Sequence, residues 1–380
     1  MLFVHDHVFV KSNGKYYTTG SLNDKVLARY NEWFKDFSLF GYERDAEEKD
    51  NPILTEGNLA SIPKFHLIPK NRSLVSMKNQ LSKLKKIVRE SNGVISRLSI
   101  LGIFAIHFAK KNNKPYIIEV VADPWDSLWN HSLKGKLLAP LMFFLTKYYV
   151  KNAPVVLYVT SQYLQKRYPT NGTSVAISDV EIETKKFFLQ RRFDKIANLN
   201  TSQMVLATLA NIDVKYKGQE FVIRAIPELL ETYPNLVYRI YGSGEGKRLK
   251  ELVKKLELED HVKFMGQISH EKVIDELFKA DIYIQPSLQE GLPRAVVESL
   301  STGALVLGAA TGGIPELIEE EFVFKRKDVT DIVNHIKNVD IDDFKKAAIQ
   351  NFNKSNEFNK PILDKKRADF YLKFASKYLV

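Results

Sequence analysis

The sequence predicts an α/β chain of two domains, each built on a parallel sheet, and three observations carry that prediction. Over residues 204–338, short apolar runs alternate with amphipathic helical stretches, the pattern of a parallel sheet covered on both faces. The runs themselves are near-continuous in apolar residues, as strands buried on both sides require. The third observation is length: 380 residues correspond to about two domains, each able to bury its own core.

Element by element, the second half predicts strands at 204–209, 236–241, 262–265, 282–285, 304–307 and 322–324. Helices are predicted between them at 219–231, 247–256, 271–278, 293–300, 315–318 and 329–336. The first half has similar pieces: a first strand at 1–9, a helix at 23–34, strands at 93–97, 116–121 and 155–159, and helices at 100–109 and 162–167. The first nine residues lack a basic segment and a long apolar core, so they read as a strand and not as a leader. The polar stretch 181–200 is predicted as a linker. Residues 360–380 form an amphipathic helix with Phe370, Leu372, Phe374 and Leu379 as its apolar positions.

Composition removes whole classes of chemistry. There is no cysteine, which excludes disulfides, thiolate zinc sites, iron–sulfur clusters and cysteine nucleophiles. A net charge of +11 favours anionic partners. The longest apolar run, 137–145, contains Pro140 and is too short to cross a bilayer. These features predict a soluble, cytoplasmic protein.

The chemistry concentrates on Glu290-Gly291-Leu292-Pro293-Arg294-Ala295-Val296-Val297-Glu298. Two carboxylates eight positions apart straddle a strand-to-helix turn. Gly291 suits the turn, and Pro293 suits the first helical position, where a missing N–H costs nothing. The N–H groups around Leu292 to Ala295, with the helix dipole, predict an anion site. Flanking carboxylates suit sugar hydroxyls; a surface helix with two unrelated glutamates would show the same spacing. Context favours a site. Tyr216-Lys217-Gly218 puts a cation at the end of the first strand of the second half, where Lys217 can clamp a diphosphate as a point charge. Gly242-Ser243-Gly244-Glu245-Gly246 follows the next strand, and alone reads equally well as a plain turn. Further turns at 264–267, 286–287 and 311–316 fall on the same rim, where parallel sheets bind ligands.

In that order, Lys217-Gly218, the glycine turn at 242–246, the strands at 262–266 and 280–287, Glu290 through Glu298, and Gly312-Gly313-Ile314-Pro315-Glu316 resemble the retaining GT-B glycosyltransferases of family 4. The first half resembles the subgroup that builds bacterial capsule and O-antigen polysaccharides. The resemblance implies the GT-B fold: two Rossmann-like domains with parallel sheets facing across a cleft. Residues 1–190 would form the acceptor-side domain and 200–357 the nucleotide-sugar domain, with the helix 358–380 crossing back to the first. It implies that Glu290 holds the hydroxyls of the donor sugar, Glu298 the ribose and Lys217 the diphosphate. The backbone of Gly291, Leu292 and Arg294, beside Pro293, would cradle the distal phosphate. Gly242 and Gly244 would line the donor site, and Gln267 and Ile268 would lie against the base.

The implied activity is metal-independent transfer of a hexosyl group, with retention, from a UDP- or GDP-sugar to a glycan or polyprenyl-diphosphate-linked acceptor. The nucleotide-sugar is the co-substrate and no further cofactor is implied. The alternatives are a nucleotide-sugar epimerase or phosphorylase of the same architecture, and a non-catalytic sugar-nucleotide-binding protein. Two positions depart from the family pattern. Ile212 stands where a phosphate-binding arginine is usual, leaving Arg294 or Lys215 as substitutes. Asp123 stands where a histidine is usual and becomes the third catalytic candidate, with Gly20 and His131 as cleft residues of the first domain.

Remaining motifs have quieter readings. Asp340-Ile341-Asp342-Asp343 contains Asp-x-Asp but leads into a helix, so capping explains it. His5 and His7 share a strand face without a third ligand, which predicts a strand end facing the cleft and no metal site. Lys78, Lys83, Lys85, Lys86 and Arg89 stud one stretch. Lys134, Lys136, Lys147 and Lys151, with Tyr148 and Tyr149, bracket the apolar run 137–145. Such bracketing fits peripheral contact with an anionic membrane, here the inner face of the plasma membrane, or an ordinary amphipathic helix. No nucleic-acid recognition pattern accompanies the charge.

Overall fold

The computed structural model describes residues 1–18, 22–47, 59, 64–70, 73–130 and 133–379; Gly20 and His131 therefore lie outside the described residues. The chain divides into two compact units. One comprises Met1–Val159, Gln165–Ile177 and Lys365–Val380, the other Thr160–Leu164 and Ser178–Asp364.

The first unit carries strands β1 (Leu2–Ser12), β2 (Lys15–Tyr17), β3 (Ser38–Asp45), β4 (Phe65–Pro69), β5 (Val94–Arg97), β6 (Tyr116–Val120), β7 (Val155–Tyr158) and β8 (Thr173–Ala176). They pair in the order β4-β3-β1-β5-β6-β7-β8, with β2 antiparallel on β1. Its helices are α1 (Asp24–Trp33), α2 (Leu74–Glu90), α3 (Ile100–Lys111), α4 (Pro124–Trp129), α5 (Leu133–Lys151) and α6 (Tyr163–Arg167), the last of which begins in the second unit. Strands β5 and β6 are buried at every position, including Glu119. A carboxylate there needs partners. It accepts from Arg97 Nε at 2.8 Å, Tyr30 Oη at 2.8 Å and Tyr371 Oη at 2.6 Å. Tyr371 comes from the last helix, α14 (Lys360–Tyr378).

The basic stretch around Lys78 is α2, started by Ser73, whose Oγ accepts from Ser76 N. Leu84 and Val88 face the core, while Lys78, Lys85 and Lys86 face water.

The second unit contains α7 (Lys186–Ala197), β9 (Val205–Leu209), α8 (Gln219–Leu230), β10 (Val237–Tyr241), α9 (Lys247–Lys255), β11 (Val262–Gly266), α10 (His270–Lys279), β12 (Ile282–Gln285), α11 (Arg294–Ser301), β13 (Leu305–Ala309), β14 (Val323–Phe324), α12 (Val329–Asn338) and α13 (Ile341–Ser355). The strands pair in parallel in the order β11-β10-β9-β12-β13-β14. Strand order therefore reverses between β9 and β12, and that switch point is where a doubly wound sheet opens a crevice.

Two predicted elements change. The supposed linker 181–200 contains the ordered helix α7. Its charge misled: the Arg192 guanidinium is fully buried and donates to the carbonyls of Thr302, Ala280 and Leu277. In α14 the buried face is Leu363, Arg367, Tyr371 and Phe374, at spacings of four, four and three, while Leu372 is exposed. The aspartates at 340–343 start α13 as a capping box, with Asp340 accepting from Asp342 N and Asp343 N.

Candidate functional site

The switch point of the second unit gathers the acids and the cation read from the sequence. Lys217 ends the loop after β9, and Lys217 Nζ lies 2.7 Å from Glu290 Oε1, in the loop after β12. The same oxygen accepts from Gln285 Nε2 at 3.0 Å, and Gln285 Nε2 also donates to Ser287 Oγ at 2.8 Å. The Tyr283 hydroxyl donates to Gln285 Oε1. Tyr283 and Gln285 lie two apart on β12 and so share one face of the sheet. Burial raises the Tyr283 phenol well above its ordinary pKa, and the charges of both Glu290 and Glu298 raise it further.

Glu298 is almost fully buried on α11, and its Oε1 accepts no hydrogen bond among the described residues. The imidazole Nδ1 of His270, at the start of α10, stands 3.6 Å away. Burial pushes the Glu298 carboxyl up to about 7, and Arg294 one turn earlier opposes the rise. A buried carboxylate oxygen without a donor suits a ligand bearing hydroxyls. Helix α11 begins at Arg294, with Pro293 one step outside as its N-cap rather than its first residue. No side chain caps this end. Its first N–H groups and the helix dipole therefore make an anion site.

Tight backbone contacts hold the three loops together. Leu288 N donates to Tyr216 O at 2.7 Å, and Gly313 N to Gly291 O at 2.8 Å. Gly218 has φ +74°, and a Cβ there would stand 2.0 Å from Pro286 O. Gly312 has φ +57°, with Glu290 O 2.1 Å from an added Cβ. Gly218→Ala is therefore expected to lower unfolding stability by about 2–4 kcal/mol, from left-handed strain plus the clash. Denaturant unfolding checks it, and a loss below ~0.5 kcal/mol would show that the loop is not pinned in this way.

The other candidates are placed as follows. Gly242 and Gly244 lie in the loop after β10, but that loop already binds an anion of the protein's own: Asp213 accepts from Glu245 N at 3.0 Å and Gly246 N at 2.8 Å. These two bonds hold the Asp213 carboxyl below its ordinary range. Ile212 is buried beneath Gly244 and Gly246. Gln267 is exposed and Ile268 half-buried just past β11; Lys215 and Arg294 are exposed. In the first unit, Asp123 caps α4 by accepting from Trp125 N, pairs with Arg167 Nε at 2.7 Å and accepts from the Tyr168 hydroxyl. His7 Nε2 lies 2.5 Å from Thr18 Oγ1, and Asp6 accepts from Ile100 N and Leu101 N. Tyr283 and Gln285 were missed as site residues. The alternation of polar with apolar side chains in Ile282-Tyr283-Ile284-Gln285 was the signal that marked them.

Residues 190–355 match the family "Glycosyl transferases group 1". Protein CapJ of Staphylococcus aureus is 31% identical over 341 residues, spanning 88% of this chain and 85% of CapJ. Among solved structures, sucrose-phosphate synthase from Thermosynechococcus elongatus superposes with a TM-score of 0.67 at 15% identity, covering 99% of each chain. Anabaena HepE in complex with UDP gives 0.65 at 18% identity, covering 97% of this chain and 98% of that one. The fold is GT-B. With a switch-point crevice holding the Lys217–Glu290 pair, and this likeness running along nearly the whole sequence, the chain belongs to the glycosyl transferases of group 1.

Proposed function

We propose that the protein transfers a hexosyl group from a nucleoside-diphosphate sugar, with UDP or GDP as the nucleotide, to a glycan acceptor carried on a polyprenyl diphosphate in bacterial surface polysaccharide synthesis, with retention at the anomeric carbon. The observation that carries this reading is the pairing of Lys217 with Glu290 at the switch point, beside the uncapped start of the helix on which Glu298 stands buried. The solved structures of Anabaena HepE with UDP and with UDP-glucose support the choice of donor class.

The roles follow from charge. As the glycosidic C–O bond breaks, negative charge grows on the leaving diphosphate and positive charge on the sugar ring. Lys217 and the amides of Leu292, Arg294 and Ala295 meet the first, in a preorganised site where such help is strongest. Glu290 bridges Lys217 and the sugar hydroxyls, and Gln285 fixes its orientation. Glu298 accepts from the ribose hydroxyls. No positioned carboxylate is needed as a covalent nucleophile here: the departing phosphate oxygen takes the proton of the incoming hydroxyl on the same face. The chain's own cations neutralise the diphosphate, so transfer is expected without a metal. Asp123, held by Arg167 and Tyr168, is the third catalytic candidate, on the acceptor side.

The test is product analysis with UDP- and GDP-sugars and a lipid-linked glycan acceptor. Free nucleoside diphosphate should appear only when acceptor is present, and a donor at 100 times its Kd should add ~2.7 kcal/mol of stability. An isomerised donor without release would overturn transfer in favour of epimerisation. Donor binding without any product would leave a binding protein.

A further inference from the structure

Helix α5 presents two apolar faces, and only one of them is covered. Gly135, Ala139, Met142, Thr146 and Val150 are buried. Leu133, Leu137, Leu141, Phe144 and Tyr148 repeat at spacings of four, four, three and four, and all are exposed, Leu137 to 84%. At ~100° per residue the two stripes lie about 180° apart. The second stripe faces water along about 22 Å of helix. A patch of that length on a folded unit marks an interaction surface.

The charges around it indicate the occupant. Helix α5 contains four lysines and no acid: Lys134 on one flank, Lys136, Lys147 and Lys151 on the other. Lys136 Nζ sits 5.7 Å over the Trp129 ring, and Lys110 Nζ 5.5 Å over the Tyr148 ring, so cations and ring faces form the rim together. A second copy of this face would oppose lysine to lysine, which disfavours self-pairing. No helix among the described residues is long and apolar enough to cross a membrane. We infer that α5 is a lipid-docking surface: it lies in the interface of an anionic leaflet, with Leu133, Leu137, Leu141 and Phe144 among the acyl chains and the lysines at the phosphates. Trp129 and Tyr148 sit at headgroup level, where amphipathic rings settle. This inference stands on the first unit alone and does not depend on the transfer reaction.

Vesicle flotation of the full chain tests it. The protein should float with phosphatidylcholine–phosphatidylglycerol vesicles, remain below with pure phosphatidylcholine, and detach as salt is raised. The double substitution Leu137→Glu and Phe144→Glu should abolish flotation while leaving the unfolding midpoint and UDP binding unchanged, since both side chains are solvent-exposed. Lys134→Gln and Lys151→Gln should each weaken binding to the anionic vesicles about fivefold. Failure of the wild type to float with anionic vesicles would overturn the inference. So would flotation of the double variant, or a stripe-dependent dimer that forms without lipid.

Discussion

Lys217→Ala is expected to lower kcat/KM about 100- to 1,000-fold, the loss typical of one preorganised group that meets growing negative charge. The effect should fall mainly on kcat, because the diphosphate bears more charge in the transition state than in the bound donor. Removing the ammonium also leaves the Glu290 carboxylate, 9% exposed, with the Gln285 amide as its remaining partner at Oε1. Stability should therefore drop as well, by about 1–3 kcal/mol. The double variant Lys217→Ala, Glu290→Gln separates the two effects: it should recover stability and stay inactive. Steady-state kinetics and thermal unfolding read both, with Asp342→Ala, at the solvent end of the α13 capping box, behaving as wild type. A kcat/KM within twofold of wild type for Lys217→Ala would remove this lysine from the reaction.

Glu298→Gln should make the free protein more stable and the donor complex weaker. Burial raises the carboxyl from an ordinary 4.5 to about 7, so the folded state holds a proton that the unfolded state releases. The sign follows: stability from this group is present below about pH 4.5, declines as pH rises through 7, and is then fully lost. The span is on the order of 3 kcal/mol. Glutamine has no proton to lose, so the variant's unfolding profile should lack this contribution to the decline and lie above wild type at pH 8. Donor affinity should move the other way, falling about 10- to 100-fold as a charged acceptor becomes neutral. Stored strain of this kind is the usual price of a binding site. Parallel pH profiles for the two proteins would show that Glu298 is not the group that titrates.

Much of this arrangement was legible in the residue order because parallel β/α units leave two clear marks, continuous apolar strands and turn residues at their C-terminal ends. Lys217, Glu290 and Glu298 stand next to such turns, and that alone predicts them on one rim. Residues inside strands were harder. Tyr283 and Gln285 lie within an apolar run, where a polar side chain reads as a packing detail unless the face it shares is considered. The first unit was less legible because β3 continues into Glu43-Arg44-Asp45 beyond the core and β1 slips register between Val4 and Val8. Charge misled in the opposite direction at Arg192, where four buried hydrogen bonds, to three carbonyls and a threonine hydroxyl, cannot be inferred from a guanidinium in a polar stretch. Of the apolar positions read for α14, Phe374 is buried and Leu372 is exposed, since Arg367 belongs to the buried face and breaks the hydrophobic period.

The hub on Glu119 fixes the order in which the chain can mature. Tyr371 is 252 positions downstream of the carboxylate it serves. At synthesis rates of ~5–20 residues per second, a ribosome needs roughly 10–50 s to deliver that tyrosine after Glu119 has emerged. Until then the β6 acid lacks one of its two hydroxyl donors. The completion of that hub is thus a late event relative to the synthesis of β6.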